Sequence, residues 1–232
     1  MTKEDPYARL FSGAEGSVLG RFREKIVEAK TARVEARTGL TGETDPKRTR
    51  RLPPGQQLTR EWPVLDLGQQ PLIPLDQWQL TVAGAVENKL CWDWQGFLDQ
   101  PRTESVSDIH CVTQWSRYDN HWRGVSALDL IAAVKPKPEV RHVIFHGHDG
   151  YRTNVRIEQF ARDGVLLADR WEGTEIAREH GGPVRVVIPE LYFWKSIKWL
   201  RHIVFLEHDA KGYWEAQGYH NNGDPWKEQR YG

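Results

Sequence analysis

Eleven tryptophans, all lying between Trp62 and Trp226, are the feature that most narrows what this chain can fold into. Indole is large, and its N–H needs a partner once it is buried. A dense set of such rings calls for a rigid interior with polar groups built into its walls. Residues 1–57 hold none of them. That stretch is polar and ends in the basic run Lys47-Arg48-Thr49-Arg50-Arg51, with Leu19, Phe22, Ile26 and Ala29 at helical spacing. The pattern predicts a helix over 18–37 stopping near Gly39. It would lie in an N-terminal arm (1–57) that packs on a main domain of residues 58–232.

Charge and cysteine usage remove several function classes. Lys+Arg and Asp+Glu cancel at 32 each, which gives no electrostatic reason to expect nucleic acid or an anionic membrane as partner. No run approaches the ~18 apolar residues of a membrane span. The first 30 residues are charged and lack an apolar core segment, and Arg50-Arg51 runs into Pro-Pro-Gly-Gln rather than an apolar stretch; a cytoplasmic protein is expected. Two cysteines, Cys91 and Cys111, cannot build a disulfide framework or supply the four thiolates of an iron–sulfur cluster. No haem-attachment, dinucleotide-binding or P-loop signature occurs, so any electron-transfer partner must be external.

From Trp62 onward the patterning is mixed. Trp78, Leu80 and Val82 alternate with polar or small residues and predict a half-buried strand. Further strands are predicted at 105–112, 140–146, 165–169, 184–188 and 203–206. Ser126 followed by Asp129 marks a helix start, and Lys135-Pro136 its end. A short helix is expected near 157–162. The fold class is α+β, with mixed sheets and few helices.

Three clusters of polar residues stand out. His110-Cys111-Val112-Thr113-Gln114-Trp115 places a thiol where a strand gives way to a polar loop, a position from which a rigid element can present a soft ligand to a metal. A lone cysteine is by default an inert buried hydrophobe, and Cys91 is read that way. Arg178-Glu179-His180-Gly181-Gly182-Pro183-Val184-Arg185 and Phe193-Trp194-Lys195-Ser196-Ile197-Lys198-Trp199 carry an imidazole, guanidinium groups and ammonium groups around a strand and a turn. Such a set can hold a phosphate and a polar heterocycle, or can simply be the charged edge of a sheet. The aromatic tail 212–226 is either a clasp over the core or part of a substrate pocket.

Cys111, Trp115, Ser116, Trp122 and Gly124 form a C-x3-W-S-x5-W-x-G pattern that resembles the metal-ligand segment of the sulfite-oxidase-type molybdopterin oxidoreductases, particularly members related to the methionine-sulfoxide reductase catalytic subunit. The His-Gly-x-Pro-x-Arg turn and the Lys-x-x-Lys segment resemble the pterin-binding half of that family. The resemblance implies a sulfite-oxidase-type fold, a molybdenum–molybdopterin cofactor and Cys111 as the one protein ligand to the metal. It implies cofactor contacts at Arg60, Trp62, Thr153, His180, Arg185, Lys195, Ser196 and Lys198, with Arg60 and Tyr219 (or His220) at the substrate. Sulfite oxidases carry a histidine near the position of Glu61 or Trp62; this chain does not. They also carry a C-terminal immunoglobulin-like dimerisation domain. Since the chain ends soon after the Tyr219 segment, one cofactor domain and a monomer are expected.

The implied chemistry is two-electron oxygen-atom transfer to or from a small-molecule oxyanion, S-oxide or N-oxide. Two other readings compete with it. One is a pterin-binding protein without turnover. The other is a zinc site in which His142, His146 and His148 share a strand face and are joined by Cys111 or His208.

Overall fold

The computed structural model describes residues 51–232. The helix expected over 18–37, and most of the N-terminal arm, lie outside the described residues. Two sheets make the frame. The first holds six strands: β1 (Gln57–Leu58), β4 (Thr103–His110), β5 (Trp115–Ser126), β8 (Leu166–Trp171), β9 (Thr174–Glu175) and β10 (Arg185–Val187), with β5 and β8 at its centre. The second runs in the order β3 (Leu90–Asp93), β2 (Gln79–Gly84), β11 (Leu200–Leu206), β6 (His142–Gly147), β7 (Arg152–Arg156). Pairing is antiparallel except for β1 with β5 and β2 with β11. The four α-helices among the described residues are short: α1 (Trp94–Leu98), α2 (Ala127–Val134), α3 (Ile157–Phe160) and α4 (Tyr213–Ala216). Mixed sheets with few helices are what the patterning called for.

Local chemistry explains most element boundaries. In β2 the alternation buries Leu80 and Val82. The Ser126 side chain accepts from Leu128 N and caps α2, and Lys135 ends the helix in the left-handed region at φ 50°. Cys111 sits just past the end of β4, at the start of a turn, as expected; the turn 111–114 is short and leads into β5, which at 12 residues is the longest strand among the described residues. Its alternation is obscured by Asp119, at φ 53°, and by buried Asn120, whose amide bonds the Ser107 and Arg117 carbonyls. Strands β3 and β7 and helix α1 were also not foreseen. β3 and β7 are edge strands of the second sheet; β3 has only four residues, too few to show a period, and β7 has polar residues on both faces, which erases the period-two signal.

Close packing between the central strands leaves no room at Gly124. A Cβ there would sit 2.1 Å from the Leu167 carbonyl oxygen and 2.7 Å from Ala168 Cα, both backbone atoms of β8. Replacing Gly124 with Ala should therefore destabilise the fold by roughly 1–3 kcal/mol, read as a lower urea midpoint.

Two histidines at the second sheet are held neutral, His202 in β11 and His148 in the turn after β6. Burial, with Arg201 nearby, pushes His148 and His202 down from 6.5 to about 4. Between those values the unfolded chain binds protons that the folded chain does not, so stability is complete above pH 6.5 and falls as pH drops toward 4. The double substitution His148→Gln, His202→Gln should flatten that slope. An unchanged slope in urea titrations across this window would show that neither histidine contributes.

Candidate cofactor cavity

The turn carrying Cys111 is held from several sides. Cys111 N donates to Trp115 O at 2.8 Å, and Gln114 N donates to Cys111 O at 3.0 Å, with Gln114 at φ 72°. Gln56 Nε2 donates to the same carbonyl at 3.1 Å, and Gln57 N donates to Gln114 O at 2.8 Å. His110 Nδ1 and Ser116 Oγ are bonded at 2.8 Å across the hairpin. The thiol lies 3.1 Å from Thr113 Oγ1 and is 5% exposed. Cys111 is thus buried, yet it lines a cavity of about 660 Å3, open mouth included.

Both sheets contribute to that cavity. The first gives the β4–β5 turn and Arg185 of β10; the second gives Asp149 and Tyr151 of the β6–β7 hairpin. Residues 196–200 join the two. Val186 N donates to Ile197 O (2.9 Å), Leu200 N to Val184 O (2.8 Å) and His148 N to Trp199 O (2.9 Å). The strap Trp62-Pro63 with Leu65-Asp66-Leu67 closes one side. Trp62, Trp115, Trp194, Trp199 and Trp214, five of the eleven tryptophans, line the cavity.

Two cations, Arg185 and Lys198, and two carboxylates, Asp66 and Asp149, line the cavity, and the cations cluster with His180. Arg185 is 1% exposed and donates to the His180 carbonyl (2.7 Å) and the Ser196 carbonyl (2.8 Å), with its guanidinium 4.1 Å from the Phe193 ring centre. Among the described residues no carboxylate pairs with it. Burial alone pushes it from 12.5 to about 9, which still leaves it cationic at neutral pH. His180 is held down at about 4 by burial first, then by Lys198 and Arg185, and its ring stacks on Trp62 at 3.9 Å and 9°. Lys198 Nζ donates to Glu179 O at 2.5 Å.

A resident group of mixed polar and anionic character fits these walls. The indole N–H of Trp115 and the Nδ1 of His180 are buried without a hydrogen-bond partner among the described residues. Each would be costly unless something supplies a partner. A soft thiol, an uncompensated guanidinium and unsatisfied ring nitrogens together match a dithiolene pterin that bears a phosphate and a metal.

The expected site residues divide into two groups. Trp62, Cys111, Arg185, Ser196 and Lys198 all line the cavity, and His180 stacks on its Trp62 wall. Arg60, Thr153, Lys195, Tyr219 and His220 do not line it. Arg60 is exposed, and its carbonyl accepts from Arg117 Nε. Tyr219 packs behind the wall, against Trp194 and Trp214. Lys195 is fully buried and pairs with Glu215 at 2.6 Å, while Thr153 donates to the same carboxylate oxygen at 3.1 Å. Tyr151, just before β7, lines the cavity, whereas Thr153 within β7 points to Glu215. Asp149 and Tyr151 were missed, although the Gly147–Gly150 turn marked the strand end that presents them. The zinc alternative finds no geometry: among the described residues no three of His, Cys, Asp and Glu converge as a metal site.

The two sheets, the cavity at their joint and the thiol within it define a cofactor-dependent oxidoreductase fold. The profile of the oxidoreductase molybdopterin-binding domain matches residues 67–214, and the chain belongs to that family. A Bacillus subtilis protein described as uncharacterized oxidoreductase YuiH is 42% identical over 194 residues, covering 83% of this chain and 97% of its own. The catalytic subunit of the protein-methionine-sulfoxide reductase of Campylobacter jejuni is 26% identical, covering 64% of this chain and 57% of its own length. The sulfane dehydrogenase SoxCD of Paracoccus pantotrophus superposes with a TM-score of 0.55 at 22% identity, over 60% of this chain and 40% of that one, a likeness of fold. The protein is a molybdopterin-dependent oxidoreductase of the sulfite-oxidase type, and its cofactor is molybdenum–molybdopterin.

Glu215 underlies the wall, since its Oε1 also accepts from Trp194 Nε1 at 2.9 Å. Glu215→Leu strands the buried Lys195 ammonium and should cost roughly 3–5 kcal/mol. Adding Lys195→Met should recover a large part of it. Equal losses in the single and double variants, by denaturant titration, would show that the pair is not coupled.

Proposed function

We propose that this chain carries out two-electron oxygen-atom transfer on a small oxyanion, S-oxide or N-oxide, with Cys111 as the one protein ligand to the metal. The observation that carries the reading is that the Cys111 thiol and the uncompensated Arg185 guanidinium line one cavity. When bound, the molybdenum centre supplies the two-electron couple and the exchangeable oxygen.

The protein's own groups hold, orient and desolvate. Cys111, fixed by the 111–114 turn, offers a thiolate at a set position. Arg185 and Lys198 place positive charge where an anionic phosphate and an anionic substrate are held, with the His180 ring neutral between them. Asp149, buried at the rim of the hairpin and accepting from Tyr151 N at 3.0 Å, offers a carboxylate to the N–H groups of a pterin. The indole walls exclude water and so strengthen every charge inside. Substrate turnover moves two electrons. These leave or enter singly through an external carrier; two cysteines are too few for an iron–sulfur cluster of the chain's own.

Holoenzyme should contain stoichiometric molybdenum. Cys111→Ser should abolish thiolate-to-metal absorption and turnover while circular dichroism stays native, and Cys91→Ser should leave all three intact. An unchanged spectrum in Cys111→Ser would remove the ligand assignment. A dye-coupled screen of sulfite, S-oxides and N-oxides then separates the catalyst from a pterin-binding protein without turnover: no activity toward any of these classes in fully metallated protein would favour the latter.

A further inference from the structure

The tail segment from His220 to Gln229, which does not reach the cofactor cavity, forms a cleft of its own. It is an open depression of about 750 Å3 against the outer end of β7, lined by Asn154, Arg156, His220, Asn222, Lys227 and Gln229. Its hydrogen bonds can be counted group by group. Asn222 Oδ1 accepts from Arg156 Nη2 at 3.3 Å and from Gln159 Nε2. Gln229 Oε1 accepts from Asn222 Nδ2 at 3.0 Å and from Asp224 N at 3.1 Å. Asn154 Oδ1 accepts from Lys195 Nζ at 3.1 Å. His220 Nδ1 accepts from Asn222 N at 3.0 Å and Gly223 N at 3.3 Å.

His142 also lines the cleft, and its buried Nδ1 has no partner among the described residues; the other acceptors named are used within the protein, and hydrogens remain to be given. Because Nδ1 accepts, the neutral His220 ring must carry its proton on Nε2. Burial, then Lys195, keeps His220 below its ordinary value, which favours that neutral form. The Gln229 amide hydrogens, the remaining Arg156 N–H groups and the Lys227 ammonium complete the set. Two carboxylates stand near without lining the cleft. Asp209 accepts from Asn154 and Asn221 and lies 3.9 Å from His142; Asp224 accepts from Trp226 N and lies 3.3 Å from Lys227. A wall with more donors than acceptors left to pair suits a ligand made of acceptors.

We propose that this cleft is a second ligand site, which takes a small tetrahedral oxyanion, free or as the phosphate group of a metabolite, on Arg156, His220, Lys227 and Gln229. The site is independent of the chemistry at Cys111. It shares a wall with the cofactor cavity, since Lys195 bonds Asn154 and the Asn221 carbonyl while its neighbour Trp194 lines that cavity.

The test is titration of holoenzyme with inorganic phosphate and with glucose 6-phosphate, by calorimetry and by 15N-resolved spectra of the side-chain amides. Saturable binding should move the Gln229 and Asn222 amide peaks. In Arg156→Gln, Lys227→Gln protein, which alters exposed side chains only, affinity should fall by roughly tenfold or more at an unchanged thermal midpoint. Tighter binding of the sugar phosphate would assign the site to a phosphorylated metabolite, and equal binding to the free anion. No saturable binding at millimolar concentration overturns the proposal. So does binding of unchanged strength in the double variant, which would place the anion elsewhere.

Discussion

The structure around the cofactor cavity depends on where one buried cation sends its hydrogen bonds. Arg185 is almost fully buried and has no carboxylate partner among the described residues; it bonds the carbonyls of His180 and Ser196 instead. Those two bonds tie the 178–182 turn to the segment that joins the sheets. The segment in turn sets where Lys198 and Trp199 stand. Removing a cation from water without an opposite charge is costly, and carbonyl dipoles offset only part of that cost. An anionic group bound in the cavity would supply the rest. The same holds for Trp115 Nε1 and His180 Nδ1, which are buried without a partner among the described residues. A group bound in the cavity that relieved these polar deficits would couple its binding to stability.

A second buried network has the opposite character. Lys195, Thr153 and Trp194 all donate to one oxygen of Glu215, and nothing in that set faces the cavity except the Trp194 ring. This network positions the wall; the Arg185 network lines it. Both are cationic, and their sequence neighbourhoods look alike. Only the pairing of charges separates a structural lysine from a cation left for a ligand.

Cys111 shows how a residue can be both buried and available. Its turn is fixed by backbone bonds to Trp115 and Gln114 and by Gln56 from outside the hairpin. Burial excludes water from the thiol, and the cavity leaves room on its open side. Gly124, further along the same strand, is required for a different reason: β5 and β8 approach too closely there for any side chain. The two ends of the C-x3-W-S-x5-W-x-G pattern thus answer to two unrelated constraints, one chemical and one steric.

By itself the sequence determined the mixed-sheet class, most strand positions, the start and end of α2, and the presence of a thiol and a cationic turn suited to a pterin. These are local properties: side-chain period, capping and residue type act over a few positions. Tertiary structure alone decided which cations and aromatics reach the cavity. Tyr151 and Thr153 stand two residues apart, and Lys195 and Lys198 three, yet each pair is split between the cavity and the Glu215 network. The lysines are parted by where the Glu215 carboxylate sits, buried beside Lys195 and away from the cavity. Asp149 was hidden because its importance comes from the second sheet folding against Cys111. The long strand β5 stayed concealed because a residue at positive φ and a buried asparagine break its alternation, and only pairing with β4 and β8 makes it a strand.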